Sequence, residues 1–142
     1  MINIIVASHG PMAKAMLESA VMVYGALPHC CAVTLTGETG IEGFKRDFAQ
    51  ALEAASKDAD GVLVLCDMQS GTPWNVACQY AFNPKTAPAV AVLGGVNLPM
   101  LLQTDDIHDL TDIKEAASQL LALTQPTLVH ATPVVTTESD DF

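Results

Sequence analysis

Hydrophobic residues along this chain recur with two spacings, one typical of buried strands and one typical of amphipathic helices. Four short apolar runs predict strands, at Asn3–Ala7, Cys31–Thr36, Val62–Cys66 and Ala89–Leu93. The third run is apolar throughout, as expected of a central strand that is covered on both faces. Apolar residues at helical spacing predict helices over residues 12–24, 41–57, 72–82 and 112–123, with a further helix start at Asn97.

Proline, glycine and capping residues support these helix boundaries. Pro11 and Pro73 stand in the first turn of two predicted helices, where the missing backbone N–H is not needed, and Gly25 follows the end of the first helix. Either Thr111 or Asp112 can cap the last helix, because both side chains accept hydrogen bonds from free N–H groups.

Strands that alternate with helices of this length predict an α/β fold with a mainly parallel sheet. We expect residues 1–125 to form a single three-layer domain around four strands, and a chain of 142 residues fits one domain. Residues 126–137 are rich in β-forming residues but contain Pro133, which is tolerated only at sheet edges. This segment is predicted to be an edge strand or a strand exchanged between dimer subunits, followed by an acidic tail over residues 138–142.

The composition favours a folded and acidic protein. Half of the residues are hydrophobic and the mean hydropathy is +0.33, so the chain can bury a core and is not of the disordered class. It carries 16 acidic residues against 6 Lys and Arg, a formal net charge of −10. Six basic residues can neutralise only a small number of nucleic-acid phosphates. An anionic lipid surface would repel the negatively charged chain. We therefore expect neither nucleic acid nor a membrane as a direct partner.

Segment lengths and cysteine spacing bear on location. No apolar run approaches the roughly 20 residues that a membrane-spanning helix needs. The first basic residue is Lys14, so the positive region of a signal peptide is missing. The 4 cysteines include no C-x-x-C pair and are interpreted as reduced, mostly buried thiols. A cytoplasmic location is predicted.

Polar residues and glycines follow the ends of all four predicted strands. The carboxyl ends of parallel strands lie at one edge of a sheet, and ligands bind there. The segments concerned are Ser8–Gly10, Thr36–Glu38, Asp67–Thr72 and Gly94–Asn97. Each segment contains glycine, which allows the backbone to approach a ligand closely.

His9 and Asp67 are the candidate catalytic residues at this edge. An imidazole can act as a nucleophile, and one of its ring nitrogens is unprotonated at neutral pH. A carboxylate within hydrogen-bond distance can fix the tautomer of the ring, and Asp67 is the candidate for that role. Helix N-termini near Pro11 and Thr72 can stabilise an oxyanion. From spacing alone a second interpretation stays open, in which His9 is an ordinary loop histidine and Asp67 is a cap.

Three segments resemble one known family. They read ASHGPMAKAMLESA (residues 7–20), CDMQSGTPWNVA (66–77) and LGGVNLPMLLQ (93–103). In this order and spacing, over about residues 1–125, they are similar to the mannose-family EIIA domain of the bacterial phosphoenolpyruvate-dependent sugar phosphotransferase system (PTS). The features that carry the resemblance are a histidine after the first strand, the loop pattern D-x-x-[GS]-G-[ST]-P-x-N and the sequence G-V-N-x-P-M.

The resemblance implies a phosphotransferase with a phosphohistidine intermediate. Such domains accept a phosphoryl group from the phosphocarrier protein HPr, here on His9, while Asp67 orients the ring. They pass the group to an EIIB domain, which phosphorylates sugar that enters through the membrane components EIIC and EIID. The residues that would bind the phosphoryl group are Gly10, Ser70, Gly71 and Thr72. The family usually has Gly in place of Ser70 and Ser in place of Thr72.

The resemblance also bears on partners and assembly. Related domains are homodimers whose C-terminal strand crosses to the neighbour, a role that would fall to residues 126–137. The residues that would dock partner proteins are Trp74, Asn97, Pro99 and Met100, although core packing is an equal alternative for Trp74. Because the donor is already an activated phosphohistidine, neither a metal nor a cofactor is expected, and the chain contains no P-loop and no G-x-G-x-x-G.

Three other functions remain as alternatives. They are the phosphoryl-carrier subunit of a dihydroxyacetone kinase, a regulatory module in which histidine phosphorylation is only a signal, and a small hydrolase with Cys66 or Ser8 as nucleophile. The sequence G-V-N-L-P-M at residues 95–100 argues against the first. We interpret His29 as solvated, His108 as part of a surface turn, and four methionines as core residues, namely Met12, Met16, Met22 and Met100.

Overall fold

The computed structural model describes residues 1–133, in which strands and helices alternate along the chain. The strands are β1 (Ile2–His9), β2 (Cys30–Leu35), β3 (Gly61–Cys66) and β4 (Ala89–Gly94). The helices are α1 (Met12–Val23), α2 (Gly40–Ser56), α3 (Thr72–Ala81), α4 (Leu98–Leu102), α5 (Thr104–Ile107) and α6 (Ile113–Thr124), followed by a 3₁₀ turn at Gln125–Thr127. Every strand and helix predicted before residue 125 is present.

The four strands form one all-parallel sheet in the order β2-β1-β3-β4. Ala7 of β1 lies opposite Val33 of β2 and Cys66 of β3, and Cys66 lies opposite Gly94 of β4. The carboxyl ends of all four strands therefore meet at one edge. The predicted parallel α/β sheet is confirmed, and so is the prediction that the glycine-containing segments after the strands share this edge.

The sheet is covered on both faces, because successive strand residues point to opposite sides. Ile4 and Val6 of β1 belong to the core on the side of α1, α4 and α6. Ile5 and Ala7 belong to the opposite core, where Phe44 of α2 packs with α3 residues. This alternation explains why β3 is apolar at every position and confirms the three-layer arrangement.

Local hydrogen bonds decide two points that the sequence left open. The Asp112 carboxylate accepts from the N–H groups of Lys114 at 2.9 Å and Glu115 at 3.3 Å, so Asp112 and not Thr111 caps α6. The single turn α5 follows α4 directly, and it is too short to show a helical period in the sequence. No helix within residues 1–133 is long and apolar enough to cross a membrane.

The predicted C-terminal strand is not formed within the single chain over its described residues. Gln125–Thr127 make a 3₁₀ turn, and residues 128–133 have no regular structure and pair with none of the four strands. A strand requires a neighbour for its ladder hydrogen bonds, and this segment has none beside it in its own chain. The remainder of residues 126–137 and the acidic tail at 138–142 lie outside the described residues.

Candidate functional site

Two neighbouring parallel strands bring His9 and Asp67 side by side. His9 is the last residue of β1, and Asp67 directly follows β3. Ala7 lies opposite Cys66 in the ladder, and the N–H of Asp67 donates to the carbonyl of Ala7 at 3.2 Å. The register of the two central strands therefore places these side chains together although they are 58 residues apart in sequence.

The Asp67 carboxylate fixes both the backbone and the ring of His9. Its Oδ2 lies 2.8 Å from His9 Nδ1 and accepts the His9 backbone N–H at 3.1 Å, while Oδ1 accepts the N–H of Met68 at 3.1 Å. An ionised carboxylate only accepts hydrogen bonds, so Nδ1 is the nitrogen that carries the proton in a neutral His9. The lone pair is then on Nε2, on a ring whose side chain is 42% exposed.

Gly71 stands directly against the open nitrogen of His9. A Cβ placed on Gly71 would lie 2.7 Å from His9 Nε2 and 2.8 Å from Cε1, and the residue has a φ of +87°. Both facts require glycine at this position. Gly71 is also the N-cap of α3, whose first intrahelical bond runs from the N–H of Asn75 to the carbonyl of Gly71 at 3.0 Å. The N–H groups before Asn75 have no partner inside the helix, so a positive helix end borders Nε2.

The other residues expected to bind a phosphoryl group lie in the two adjoining loops. Thr72 is the half-buried first residue of α3, and Ser70 is exposed in the preceding loop. Gly10 has a φ of +59°, and its N–H already donates to the carbonyl of Leu35 at 2.7 Å. Gly10 therefore shapes the turn after His9, and its N–H is not free for a ligand.

Two of the four residues expected to dock partners, Met100 and Asn97, instead stabilise the fold. Met100 is 1% exposed and packs in the core between the sheet and α1, so the prediction that it docks a partner is wrong, because α4 lies against α1 and α6 and buries this side chain. The Asn97 side chain caps α4 by accepting the N–H of Met100 at 2.9 Å. Trp74 is half-buried against the sheet core, and Pro99 is half-buried at the start of α4.

Two histidines predicted at the surface instead form a half-buried pair. The rings of His29 and His108 stack with centroids 4.3 Å apart. His29 Nε2 lies 3.0 Å from Thr104 Oγ1, and His108 Nδ1 lies 2.8 Å from the carbonyl of Ile2. Burial, and secondly the neighbouring His108, lower the pKa of His29. The sequence placed both in polar segments and could not show that the fold brings them together.

The methionines are less uniform than expected. Met100 is a core residue and Met16 packs partly against the core, as predicted. Met12 and Met22 are 49% and 88% exposed, so their assignment to the core is wrong. Both lie on the outer face of α1, which the apolar pattern alone did not separate from the inner face.

The residues proposed for a hydrolase do not suit nucleophilic chemistry. Cys66 is fully buried, and that burial raises the pKa of its thiol to about 12, so a reactive thiolate is not available. Ser8 is fully buried as well, and its hydroxyl accepts the N–H of Ala13 at 2.8 Å. Within residues 1–133, no group of three or more His, Cys, Asp or Glu side chains could hold a metal ion.

Sequence comparisons show the family of the chain. The family described as PTS system fructose IIA component matches residues 3–121. A fructose-specific PTS EIIA component from Bacillus subtilis (strain 168) is 30% identical over 125 residues, covering 88% of this chain and 83% of the relative. A sorbose-specific PTS EIIA component from Klebsiella pneumoniae is 34% identical over 115 residues, which is 78% of each chain.

Solved structures show the same relationship. The mannose/sorbose-specific IIA subunit of the phosphotransferase system from Enterococcus faecalis has a TM-score of 0.79 and 31% sequence identity to this chain, covering 94% of this chain and 98% of that one. PTS EIIA components are phosphotransferases that work within a phosphorelay for sugar uptake. The chain therefore belongs to the fructose, mannose and sorbose family of PTS EIIA components.

Proposed function

We propose that this protein carries a phosphoryl group on His9 Nε2, which it accepts from phospho-HPr and passes to an EIIB domain in the cytoplasm. The observation that carries the proposal is the unequal treatment of the two ring nitrogens. Nδ1 is bound to Asp67 at 2.8 Å, whereas Nε2 faces Gly71 at the N-terminus of α3. A nucleophilic nitrogen, a fixed carboxylate and a positive helix end are the groups that such a transfer needs.

The bond changes balance on these groups alone. The lone pair of His9 Nε2 attacks phosphorus as the bond from phosphorus to the donor histidine breaks, and the donor nitrogen keeps the electron pair of that bond. His9 keeps its proton on Nδ1, so its ring gains positive charge when Nε2 is phosphorylated. The Asp67 carboxylate, 2.8 Å from Nδ1, stabilises that charge. Transfer to EIIB reverses these steps with a new acceptor.

Phosphoryl transfer asks the protein mainly for positioning and for electrostatic stabilisation. The first turn of α3 begins at Gly71, beside Nε2, so its N–H groups without a partner inside the helix are available to phosphoryl oxygens bound there. The half-buried Thr72 and the exposed Ser70 offer hydroxyl donors beside it. His9 is exposed enough for the active histidine of a partner protein to approach in line.

The central test is phosphorylation by the upstream proteins. The purified protein is incubated with phosphoenolpyruvate, enzyme I and HPr, and intact mass spectrometry follows an acid-labile phosphoryl adduct. We expect one adduct on the wild type, none on His9→Gln, and the wild-type amount on His29→Gln, because His29 lies at the amino ends of the strands, opposite His9. Added EIIB should then remove the adduct. An adduct that persists in His9→Gln would contradict the proposal.

We also propose that the protein is a homodimer in which residues 126–137 of one chain add a strand to the other. The open edge of β4 borders a cleft of about 370 Å³ between α3 and α6, lined by Trp74, Phe82, Val90 and Ile113 among others. Phe82 is 80% exposed there, and Leu128 and Val129 are 76% and 80% exposed. The cleft beside β4 and the C-terminal segment thus both expose apolar side chains, which supports the addition of a strand from a second chain to this edge.

Assembly is tested by light scattering after size-exclusion chromatography. We expect the full chain to have the mass of a dimer and a chain that ends at residue 125 to have the mass of a monomer. A truncated chain that remains a dimer would show that the strand is not exchanged.

A further inference from the structure

Ser8 is one of three buried polar side chains within the described residues, and its hydrogen bonds differ from those of the other two. The hydroxyls of Thr104 and Thr124 donate to main-chain carbonyls three or four residues earlier, and Thr104 Oγ1 also lies 3.0 Å from His29 Nε2. Ser8 is the penultimate residue of β1 and is 0% exposed. Its hydroxyl bridges the turn that carries His9.

The Ser8 hydroxyl uses both of its hydrogen-bonding roles across this turn. Its Oγ accepts the N–H of Ala13 at 2.8 Å and donates to the carbonyl of Gly10 at 3.3 Å. Pro11, at the N-cap of α1, makes no capping hydrogen bond with its side chain. Ser8 therefore caps α1 through Ala13, five residues later in the chain, and its bond to Gly10 closes the turn.

Two other contacts hold the same turn from outside. The N–H of His9 donates to Asp67 Oδ2 at 3.1 Å, and the N–H of Gly10 donates to the carbonyl of Leu35 at 2.7 Å. The ring has little room, since a Cβ on Gly71 would lie 2.7 Å from Nε2. A small movement of the turn therefore changes where Nε2 meets an incoming phosphoryl group.

We propose that Ser8 is a positioning residue for phosphoryl transfer, whose hydroxyl locks the turn between β1 and α1 and so holds His9 Nε2 in line with the donor. This inference rests on the proposed role of His9 as the phosphoryl carrier. A misplacement of about 1 Å in a reacting group can cost on the order of 100-fold in rate. Ser8 acts through the backbone of His9 and does not touch the phosphoryl group.

The test compares the removal of two buried hydroxyls. Ser8→Ala removes the hydroxyl at the turn, and the control Thr104→Val removes one that contacts His29 at the amino ends of the strands, opposite His9. Single-turnover phosphorylation by phospho-HPr gives the rate, and ¹⁵N NMR of the His9 ring reports its surroundings. We expect Ser8→Ala to slow transfer about tenfold or more and to shift the His9 ring signals. Thr104→Val should change neither, and Ser8→Thr, which keeps the hydroxyl, should restore both.

The outcomes separate this inference from the function on which it rests. Wild-type rates and ring signals in folded Ser8→Ala would overturn the role of Ser8, and so would a folded Ser8→Thr that is as impaired as Ser8→Ala. If Ser8→Ala does not fold, Ser8→Cys replaces it, because a thiol of similar size is a weaker acceptor, and wild-type behaviour there is equally decisive. If phospho-HPr does not phosphorylate the wild type, the proposed function is contradicted. The His9 ring signals of the wild type and Ser8→Ala then still test whether Ser8 positions the ring.

Discussion

At the scale of single residues, the two nitrogens of His9 have different surroundings, and the proposed chemistry depends on this difference. Nδ1 lies 2.8 Å from a carboxylate whose side chain is only 10% exposed, which strengthens the interaction relative to one in open water. Nε2 faces Gly71, where any larger residue would place its Cβ against the ring. The ring is therefore held in one orientation and one tautomer before a partner arrives.

Replacing Asp67 with asparagine tests the charge of this pair at nearly constant size. The neutral amide could still accept the His9 N–H through its oxygen but would not stabilise positive charge on a phosphorylated ring. We expect Asp67→Asn to slow phosphorylation by HPr at least tenfold, equivalent to about 1.4 kcal/mol of barrier. Rapid-quench kinetics measure the rate, and circular dichroism checks that the variant is folded. An unchanged rate would remove Asp67 from the mechanism.

Replacing Gly71 with alanine tests the space in front of Nε2. The added Cβ would lie 2.7 Å from the nitrogen, so we expect Gly71→Ala to abolish the phosphoryl adduct. Gly95→Ala is the matched control, because its φ of +79° imposes similar backbone strain and nothing lies within 4 Å of the added Cβ. Intact mass after incubation with phospho-HPr should show the adduct on Gly95→Ala only. Equal modification of both variants would contradict the steric argument.

At the scale of elements, three helices begin with a side-chain cap, and the capping residue comes from a different place in each case. Asn97 caps α4 and Asp112 caps α6 with their own side chains, whereas α1 receives its cap from Ser8 in the preceding strand. Capping of α6 affects stability without touching the catalytic edge, because α6 starts beside Gly61, at the opposite ends of the strands. Stability and transfer should therefore be separable.

Asp112→Ala tests this separation. The substitution removes the acceptor for two N–H groups, and we expect it to lower the free energy of unfolding by about 1 kcal/mol. Thr111→Ala should have little effect, because Asp112 provides the cap. Urea unfolding measures both variants, and their rates of phosphorylation should equal that of the wild type. A larger loss in Thr111→Ala would reverse the assignment of the cap.

At the scale of the whole molecule, the stacked pair of His29 and His108 connects the amino end of β1 to the segment that contains α5. His108 accepts the N–H of Ile2 with its carbonyl at 2.8 Å, and His29 accepts that of Ile4 at 2.9 Å. The stacked rings lie at the end of the sheet opposite His9. We therefore expect protonation of His29 to affect folding and not the edge that holds His9.

The lowered pKa of His29 predicts a dependence of stability on pH. The folded state disfavours the charged ring, so the unfolded state binds more protons once the pH falls below the ordinary value of 6.5. Stability is fully present above that pH and declines until the pH passes the lowered pKa of the folded state. We expect His29→Asn to lose less stability than the wild type between about pH 7.5 and 5.5, as measured by urea unfolding. Parallel losses in the two proteins would contradict this.

The fold was largely predictable because hydrophobic spacing records which faces are buried. The uninterrupted run Val62–Cys66 predicted a central strand, and Pro73 and Gly25 marked helix ends correctly. The one-turn helix α5 was not predicted, because four residues are too few to show the hydrophobic repeat of a helix. Met22 was misplaced because an exposed apolar residue has the same sequence signature as a buried one.

For the site, the sequence by itself determined the chemical groups and their common edge. His9 and Asp67 became candidates because each follows a predicted strand of a parallel sheet, whereas Gly71 was assigned a role only through the family resemblance. Only the tertiary structure decided which nitrogen of His9 is open, because that depends on strand register and on distances of a few tenths of an ångström. It also decided that Ser8 caps α1, since a hydrogen bond across a turn requires coordinates that no residue spacing contains.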